Sequence, residues 1–280
     1  MKESSALIIQ YLDQYARLSE RVNKNLRDYL GEPGQGQTHD LRASVRRLDA
    51  AIRVLPKSTR KDKGIKRCHE RCKDLLRQTS QIRDIDILSG AMAAKSNDPT
   101  VILLMNNLRE ERDEFADNSS KAAWKLFEHP PPKLSKKELP RFVARVETVL
   151  KELDSRISGE LRISLGEESK IDELHSLRKD CKRLRYTLEL FPSATRHEQT
   201  IFVLTKWQRV LGGIRDTDVI IDYLSRAKAT RGVKALLSSE RARRHAKYLA
   251  FVRLSRREGR PRALTIARAL EVGRPPRSVS

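Results

Sequence analysis

An internal repeat constrains the fold of this chain more than any other feature of its sequence. HDLRASVRRLDAAIRVL at 39–55 aligns with HSLRKDCKRLRYTLELF at 175–191, and IRDIDIL at 82–88 aligns with IRDTDVI at 214–220. The two offsets, 136 and 132 residues, are nearly equal, and the blocks occur in the same order. We therefore expect two copies of one structural unit, joined through the proline run at 130–132.

Hydrophobic periodicity predicts α-helices almost throughout the chain and no strand with a two-residue period. Glycine, proline and serine clusters separate the periodic segments. The predicted helices lie near residues 6–30, 39–55, 62–80, 83–94 and 98–127, and then near 136–160, 171–191, 196–212, 215–228 and 232–254. The sequence thus predicts an all-α, compact helical bundle of two repeats, 1–129 and 130–254, followed by a basic C-terminal tail at 255–280.

Both copies of the longer block place an apolar stripe and a basic stripe on one helix. The apolar stripes consist of Leu41, Val45, Leu48, Ile52 and Leu55, and of Leu174, Leu177, Cys181, Leu184, Leu188 and Phe191. The basic stripes consist of His39, Arg42, Arg46 and Arg53, and of His175, Arg178, Lys182 and Arg185. A solvated helix face usually mixes charge signs at i,i+4 spacing, and these stripes carry few carboxylates. A solvated face is the simpler alternative, but the duplicated geometry favours a face that binds an anion.

Further bases lie on the helices that follow. They share one face and consist of Lys63, Lys66, Lys73 and Arg77 in the first copy, with Arg209 as the clear counterpart of Arg77 in the second. The Arg-Asp-x-Asp motif comes next and coincides with a predicted helix boundary, where Asp84 and Asp216 are expected to cap the new helix. Pairing of these aspartates with Arg83, Arg215 or neighbouring bases is expected as a supporting role. Arg83 and Arg215 have no capping role and are candidate ligand contacts.

The charge balance indicates the class of partner. The chain has 58 Lys and Arg residues against 37 Asp and Glu residues, a net charge of +21, so the expected ligand is a polyanion. No apolar run of about 18 residues is present to span a membrane. The N-terminal segment lacks the apolar region of a secretory leader, and three cysteines do not make a disulfide framework. These features favour a cytoplasmic location.

Sequence signals for a metal or for catalysis are weak. Cys68, His69 and Cys72 have the spacing of half a zinc site, but no second pair occurs and both cysteines lie on an apolar stripe. GEPGQGQ at 31–37 lacks the Lys-Ser/Thr of a phosphate-binding P-loop. No serine-histidine-aspartate arrangement is recognisable. We therefore expect no metal, no cofactor and no catalytic residue.

The pattern His-x-x-Arg-x-x-x-Arg/Lys-Arg-Leu begins at His39 and again at His175, and each copy is followed about forty residues later by Arg-Asp-x-Asp. This paired pattern resembles the CHAD family, named for its histidine-containing α-helical domain, over the chain to about residue 254. The resemblance implies two pseudo-symmetric four-helix repeats around a basic central channel. It implies non-catalytic binding of inorganic polyphosphate, polyphosphate-metabolising enzymes as further partners, and a place at polyphosphate granules.

The resemblance also places the basic stripes on the channel wall. The implied wall residues are His39, Arg42, Arg46, His175, Arg178, Lys182 and Arg185, with Arg77, Arg83, Arg209 and Arg215 as contributors from the next helices. Arg53, Lys66 and Lys73 join the candidate site from the helical faces described above. Asp49 departs from the pattern because it stands where the second copy has Arg185. It either weakens this wall or forms an ion pair with a neighbouring arginine.

The two histidines predict that binding depends on pH. Because the ordinary pKa of imidazole is about 6.5, His39 and His175 gain positive charge beside phosphate as the pH falls. We therefore expect affinity to rise between about pH 8 and about pH 6. The alternative is a buried histidine hydrogen-bonded to a carboxylate.

Two other functions are compatible with the sequence. A nonspecific nucleic-acid-binding protein would use the same positive charge, although aromatic residues for base stacking make up only 5% of the chain. The basic tail is the segment expected to contact nucleic acid, unless it is simply a partly disordered tail. An enzyme that transfers or hydrolyses phosphate would use His39 or His175 as base or phosphate acceptor. Phosphate release in the presence of a divalent metal would distinguish this enzyme from a binding protein.

Overall fold

The computed structural model describes residues 2–93, 98–192 and 197–261. Across these ranges the chain is helical, with a 3-10 turn at Lys136–Glu138 and no strand. The helices are α1 Lys2–Gly31, α2 Gln35–Arg53, α3 Lys57–Arg60, α4 Lys63–Ala93, α5 Pro99–Phe127, α6 Phe142–Gly166, α7 Ile171–Leu188, α8 His197–Arg226 and α9 Arg231–Glu258. The all-α prediction is confirmed.

Two predicted helix boundaries are wrong. The segments predicted at 62–80 and 83–94 form the single helix α4, and those predicted at 196–212 and 215–228 form the single helix α8. Asp84 and Asp216 consequently lie inside helices, so neither caps a helix start, and the capping prediction is wrong as well.

Tertiary packing explains why the Gly212-Gly213 pair does not end α8. Glycine in a helix interior costs about 1 kcal/mol relative to alanine. Lys247 of α9 packs on this point of α8 and its Nζ donates to the carbonyl of Gly213 at 2.9 Å. A Cβ at Gly213 would stand 3.2 Å from the Lys247 side chain, so the glycine permits the close approach of α9.

Other boundaries differ from prediction by several residues. Helix α6 begins at Phe142 rather than near 136, because the chain first forms the 3-10 turn, and it continues to Gly166. The tail predicted to start at 255 begins as the last turn of α9, which ends at Glu258. The remaining tail arginines, Arg262, Arg268, Arg274 and Arg277, lie outside the described residues.

The long helices pack as two groups of four. Helices α1, α2, α4 and α5 contact one another in succession, as do α6, α7, α8 and α9. Across the boundary between the groups, each helix contacts the helix in the same position of the other group: α1 with α6, α2 with α7, α4 with α8, and α5 with α9. The division into repeats at 1–129 and 130–254 stays a prediction, which these contacts support.

Both predicted apolar stripes face the interior. The leucines and valines of the first stripe and the cysteines Cys68, Cys72 and Cys181 are almost fully buried in one large core shared by both groups. A smaller core joins the ends of α4, α5, α8 and α9. Burial of these two faces fixes the rotation of α2 and α7, so their basic stripes are presented to the boundary between the two groups.

Candidate anion-binding site

Seven cationic side chains come together where α2 and α4 meet α7 and α8. This seam cluster consists of Arg42 and Arg46 from α2, Arg83 from α4, Arg178, Lys182 and Arg185 from α7, and Arg215 from α8. All seven were candidate site residues in the sequence. The structure thus assembles one site from bases that lie more than a hundred residues apart in the chain.

Arg42 is held in place by neutral acceptors. Its guanidinium donates to the carbonyl oxygen of Leu76 at 3.0 Å and to Oγ1 of Thr79 at 2.6 Å. Arg178 occupies the corresponding place in the other group, where it runs alongside Gly212 of α8. The Nε of Arg178 is buried and has no hydrogen-bond partner among the described residues. Within the same residues neither guanidinium forms a direct ion pair, so both keep N–H groups available to an anion.

A buried tyrosine supports the other side of the cluster. The guanidinium of Arg47 lies 4.9 Å from the centre of the Tyr186 ring, and that of Arg185 lies 5.0 Å from it. Glu189 joins the same two arginines, at 2.9 Å from Arg47 Nε and 3.4 Å from Arg185 Nε. Stacking and the shared carboxylate fix Arg185 in one position. The sequence reasoning missed Arg47, Tyr186 and Glu189, although Tyr186 follows Arg185 directly.

Two carboxylates of the Arg-Asp-x-Asp motifs lie beside the cluster. Arg215 of α8 donates to both oxygens of Asp84 on α4, at 3.2 and 3.0 Å, and so connects the two groups. Asp216 contributes negative charge near Arg178. These aspartates offset only part of the positive charge, and Arg42, Arg46, Arg178 and Lys182 form no ion pair with either of them within the described chain.

Burial and mutual repulsion depress the basicity of the cluster. Burial, followed by the neighbouring positive charges, lowers the pKa of Arg42 to about 9 and that of Arg178 to about 10. Burial also lowers the pKa of Arg46. The same two causes lower the pKa of Lys182 to about 6, with Arg178 and Arg46 as its strongest cationic neighbours. The guanidinium groups remain charged at neutral pH, and Lys182 is the member of the cluster that loses its proton most readily.

Six of the other predicted site residues lie outside the seam cluster, and four of them pair with carboxylates on their own helices. His39 is exposed beside Asp40 at 3.1 Å, and the remaining pairs are Arg53 with Asp49 at 2.7 Å, Lys66 with Glu70 at 3.9 Å, and Arg77 with Asp74 at 2.6 Å. Lys73 and Arg209 are exposed. Asp49 also lies 2.7 Å from His69 Nε2, so of its two predicted roles it takes the ion pair with a neighbouring arginine.

His175 belongs to a network behind the seam cluster. Its Nε2 lies 2.9 Å from Asp218, whose other oxygen accepts from Arg244 Nε at 2.6 Å. Arg244 also donates to Glu168 at 2.8 Å. His175 therefore matches the alternative of a partly buried histidine bonded to a carboxylate.

The first group of helices repeats part of this network. Asp86 accepts from Arg112 Nε at 3.0 Å, as Asp218 does from Arg244. In each group, therefore, the second aspartate of the motif anchors the last helix. The sequence reasoning missed Arg112 and Arg244. These two arginines are 132 positions apart, which is the offset between the two Arg-Asp-x-Asp motifs, so the repeat could have revealed them. His39 makes no such contact with Asp86, so the two groups differ here.

Replacing Asp218 with asparagine is expected to destabilise the fold by about 1–3 kcal/mol, because the partly buried Arg244 loses its nearest carboxylate and keeps only Glu168 as a charge partner. Burial opposes ionisation of Asp218, but the hydrogen bonds from His175 and Arg244 outweigh it and lower its pKa. The stabilisation is therefore present above about pH 4 and is lost as the pH falls further. Urea denaturation at several pH values measures both effects.

Asp74→Asn is the matched control, since Asp74 forms an exposed pair with Arg77 and its loss should cost less than about 1 kcal/mol. Equal destabilisation by the two substitutions would contradict the anchoring role of Asp218.

A cleft of about 330 Å³ borders the seam cluster at Arg83. It lies among α4, α8 and α9, and its charged lining consists of three bases, Arg83, Arg243 and Lys247, and three carboxylates, Asp86, Asp216 and Glu240. Because these charges balance, the cleft is less favourable to an anion than the seam cluster.

Neither a metal site nor a membrane span is found in the described part of the chain. Among these residues, no three histidine, cysteine or acidic side chains are placed to hold a metal ion. No helix within the same ranges combines the length and apolar character needed to cross a membrane.

The fold and the site define a helical-bundle protein with a cationic cluster enclosed between its two groups of helices. The chain belongs to the CHAD family, since the model of the CHAD domain matches residues 18–224. The crystal structure of the CHAD domain from the plant Ricinus communis has a similar fold, with a TM-score of 0.55 at 16% sequence identity over 96% of this chain and 92% of that one. None of the curated proteins matches the sequence. The resemblance stated from the sequence is therefore confirmed.

Proposed function

We propose that this protein binds inorganic polyphosphate, without catalysing a reaction, and that the seam cluster is the binding site. The observation that carries the proposal is a set of largely buried basic side chains that form no ion pair with any described residue: Arg42, Arg46, Arg178 and Lys182. Burying cations together costs free energy unless anions compensate for it. A bound polyanion supplies that compensation.

The chemistry of the cluster suits a chain of phosphates. Guanidinium groups bind phosphate oxygens in a bidentate manner, and the cluster offers six of them in a limited space. Polyphosphate carries a charge on each unit and has no bases, so charge and spacing are all that a site can recognise. The positions of Arg42 and Arg46 on α2, and of Arg178 and Lys182 on α7, repeat every helical turn and would contact successive phosphates.

Nucleic acid suits the cluster less well. Sequence-tolerant binding of single strands depends on exposed aromatic rings that stack on bases. The aromatic ring in contact with the cluster, Tyr186, is buried and already covered by Arg47 and Arg185. The proposal includes a cytoplasmic location, at polyphosphate granules, with polyphosphate-metabolising enzymes as separate partners.

A competition titration tests the proposed ligand. At about 150 mM salt, where exposed charges are strongly screened, labelled long-chain polyphosphate should stay bound when RNA, single-stranded DNA or duplex DNA is added at equal phosphate concentration. We expect nucleic acid to be weaker by about tenfold or more, because it cannot stack its bases in the cluster. Equal competition by any of the three nucleic acids would overturn the proposal.

The non-catalytic part of the proposal has its own measurement. Incubation of the protein with polyphosphate and Mg²⁺ should release no phosphate above the rate without protein. Phosphate release that disappears in His39→Ala or His175→Ala would establish an enzyme instead.

A further inference from the structure

Lys182 differs from every other lysine in the described chain in the charges that surround it. It projects from α7 between Arg178 and Arg185, and Arg42 and Arg46 approach it from α2. No described residue accepts a hydrogen bond from its Nζ or pairs with it. The side chain is nevertheless partly exposed, so a small solute can reach it.

Charged groups further from Lys182 do not compensate for its lack of an ion-pair partner among the described residues. On α4, Arg83 and Asp84 both act on Arg42, with opposite signs. On α8, Arg215 and Asp216 likewise act on Arg178 with opposite signs. The α4 and α8 side of the cluster is therefore roughly balanced, and the four nearest arginines dominate the environment of Lys182.

An amine in such a place is a nucleophile at neutral pH. Lys182 lies one helical turn from Arg178 and from Arg185 on α7, on a helix that packs against α2 with its Arg42 and Arg46. This crowding of like charges and the partial burial favour the unprotonated amine and lower the pKa of Lys182 to about 6. Desolvation and an adjacent cation are the two ways in which enzymes activate lysine for attack on carbonyl carbon. Exposed lysines, with pKa values of about 10.4, remain protonated.

The arginines that surround this amine also bind phosphate. A small electrophile that carries a phosphate group would be held by Arg42, Arg46 or Arg178 with its reactive carbon beside Nζ of Lys182. We propose that Lys182 is a site of covalent modification by phosphate-bearing carbonyl electrophiles, acyl phosphates in particular. The inference rests on the proposed function to the extent that both use the same guanidinium groups.

The reaction balances without any further reagent. The lone pair of Lys182 Nζ attacks the acyl carbon, an N–C bond forms, and the C–O bond to phosphate breaks. Phosphate leaves with the bonding electron pair and takes up the proton that the amine loses. The product is an amide, which cannot be protonated at Lys182, so the modified protein should bind polyphosphate more weakly.

Pyridoxal 5′-phosphate is a suitable probe, because its aldehyde forms an imine with an unprotonated amine and releases water. Borohydride then reduces the imine to a stable secondary amine that peptide mass spectrometry locates. At pH 7.5 we expect Lys182 to be labelled about tenfold faster than the exposed Lys179 on the same helix. Pyridoxal without its phosphate should show a much smaller preference, and acetyl phosphate should acetylate Lys182 first.

Lys182→Arg provides the matched variant, since it keeps a long basic side chain at this position and removes the nucleophilic amine. It should lose the fast label and leave the slow labelling of Lys179 unchanged. Labelling of Lys182 and Lys179 at equal rates, or an equal preference with pyridoxal, would overturn the inference.

Protection by polyphosphate separates this inference from the proposed function. Fast labelling of Lys182 that polyphosphate fails to block would support the inference and contradict the proposed function. Tight polyphosphate binding together with slow labelling of Lys182 would support the proposed function and contradict this inference.

Discussion

Replacing Arg46 and Arg178 together with glutamine is expected to weaken binding of long-chain polyphosphate by about 100-fold or more and, at the same time, to raise the melting temperature. Each charge-assisted contact contributes about 1.5–3 kcal/mol, and about 1.4 kcal/mol corresponds to a tenfold change in affinity. Neither arginine forms an ion pair in the part of the chain that the structure describes, and burial lowers the pKa of both. Folding is therefore more favourable when these charges are absent.

Two further variants control for this result. Arg77→Gln with Arg209→Gln removes the same number of charges from exposed positions and should change affinity only slightly. Arg42→Gln also removes a charge from the cluster, but it forfeits the hydrogen bonds to Leu76 and Thr79 and should lower the melting temperature. Calorimetry and thermal unfolding measure both quantities. Unchanged affinity in the Arg46 and Arg178 variant would show that polyphosphate binds elsewhere.

The stability of the free protein is expected to increase as the pH rises from about 6 towards about 10 through the titration of Lys182. In the unfolded chain this lysine holds its proton up to about pH 10.4, whereas in the folded protein its pKa is lowered to about 6. Between these values the unfolded state binds more protons, so raising the pH favours the folded state. Chemical denaturation at a series of pH values measures the slope.

Lys182→Met isolates the contribution of this one group, because methionine fills similar space without a charge. The variant should exceed the native protein in stability most at the acid end of the range, and the difference should shrink as the pH rises. Parallel pH profiles would show that Lys182 keeps its proton on folding.

Polyphosphate should restore the proton of Lys182, because a chain of phosphates that fills the cluster places phosphate oxygens against Nζ itself, unlike a small electrophile whose phosphate is held by the arginines. Binding then takes up a proton, and affinity falls as the pH rises from about 6 to about 8. The histidine hypothesis predicts the same direction, but the two can be separated. His39→Ala with His175→Ala should retain most of the slope, whereas Lys182→Arg should flatten it.

The helices and their basic faces were predictable because both depend on local periodicity. Leu41, Val45 and Leu48 recur at the spacing of a buried helix face, and that spacing also orients Arg42 and Arg46. The breaks predicted within α4 and α8 were wrong because helix continuity there depends on contacts that are distant in sequence. Local propensity at Gly212-Gly213 favours a break, and the contact with Lys247, which is distant in sequence, outweighs it.

Contacts between the two groups of helices could not be derived from one sequence. The pairs Arg215 with Asp84 and Arg47 with Glu189 depend on how the groups dock, which no local pattern encodes. Lys66 and Arg77 were assigned to the site for the same reason. A basic helix face that is exposed to solvent has the same sequence pattern as one that packs against a partner helix. The repeat identified the helices that contribute to the site. Only the packing of the two groups determines which of their basic residues lie in it.

The paired arrangement of Arg42 and Arg46 on α2 against Arg178 and Lys182 on α7 has a consequence for the orientation of a bound polymer. Because aligned positions of the two motifs supply these bases, we expect a strand that enters from either side to meet a similar series of basic side chains, so that the site does not distinguish the two ends of its ligand. RNA and DNA strands have chemically different ends, whereas a linear polyphosphate is the same read in both directions. The cluster is thus suited to a ligand that has no polarity to be recognised.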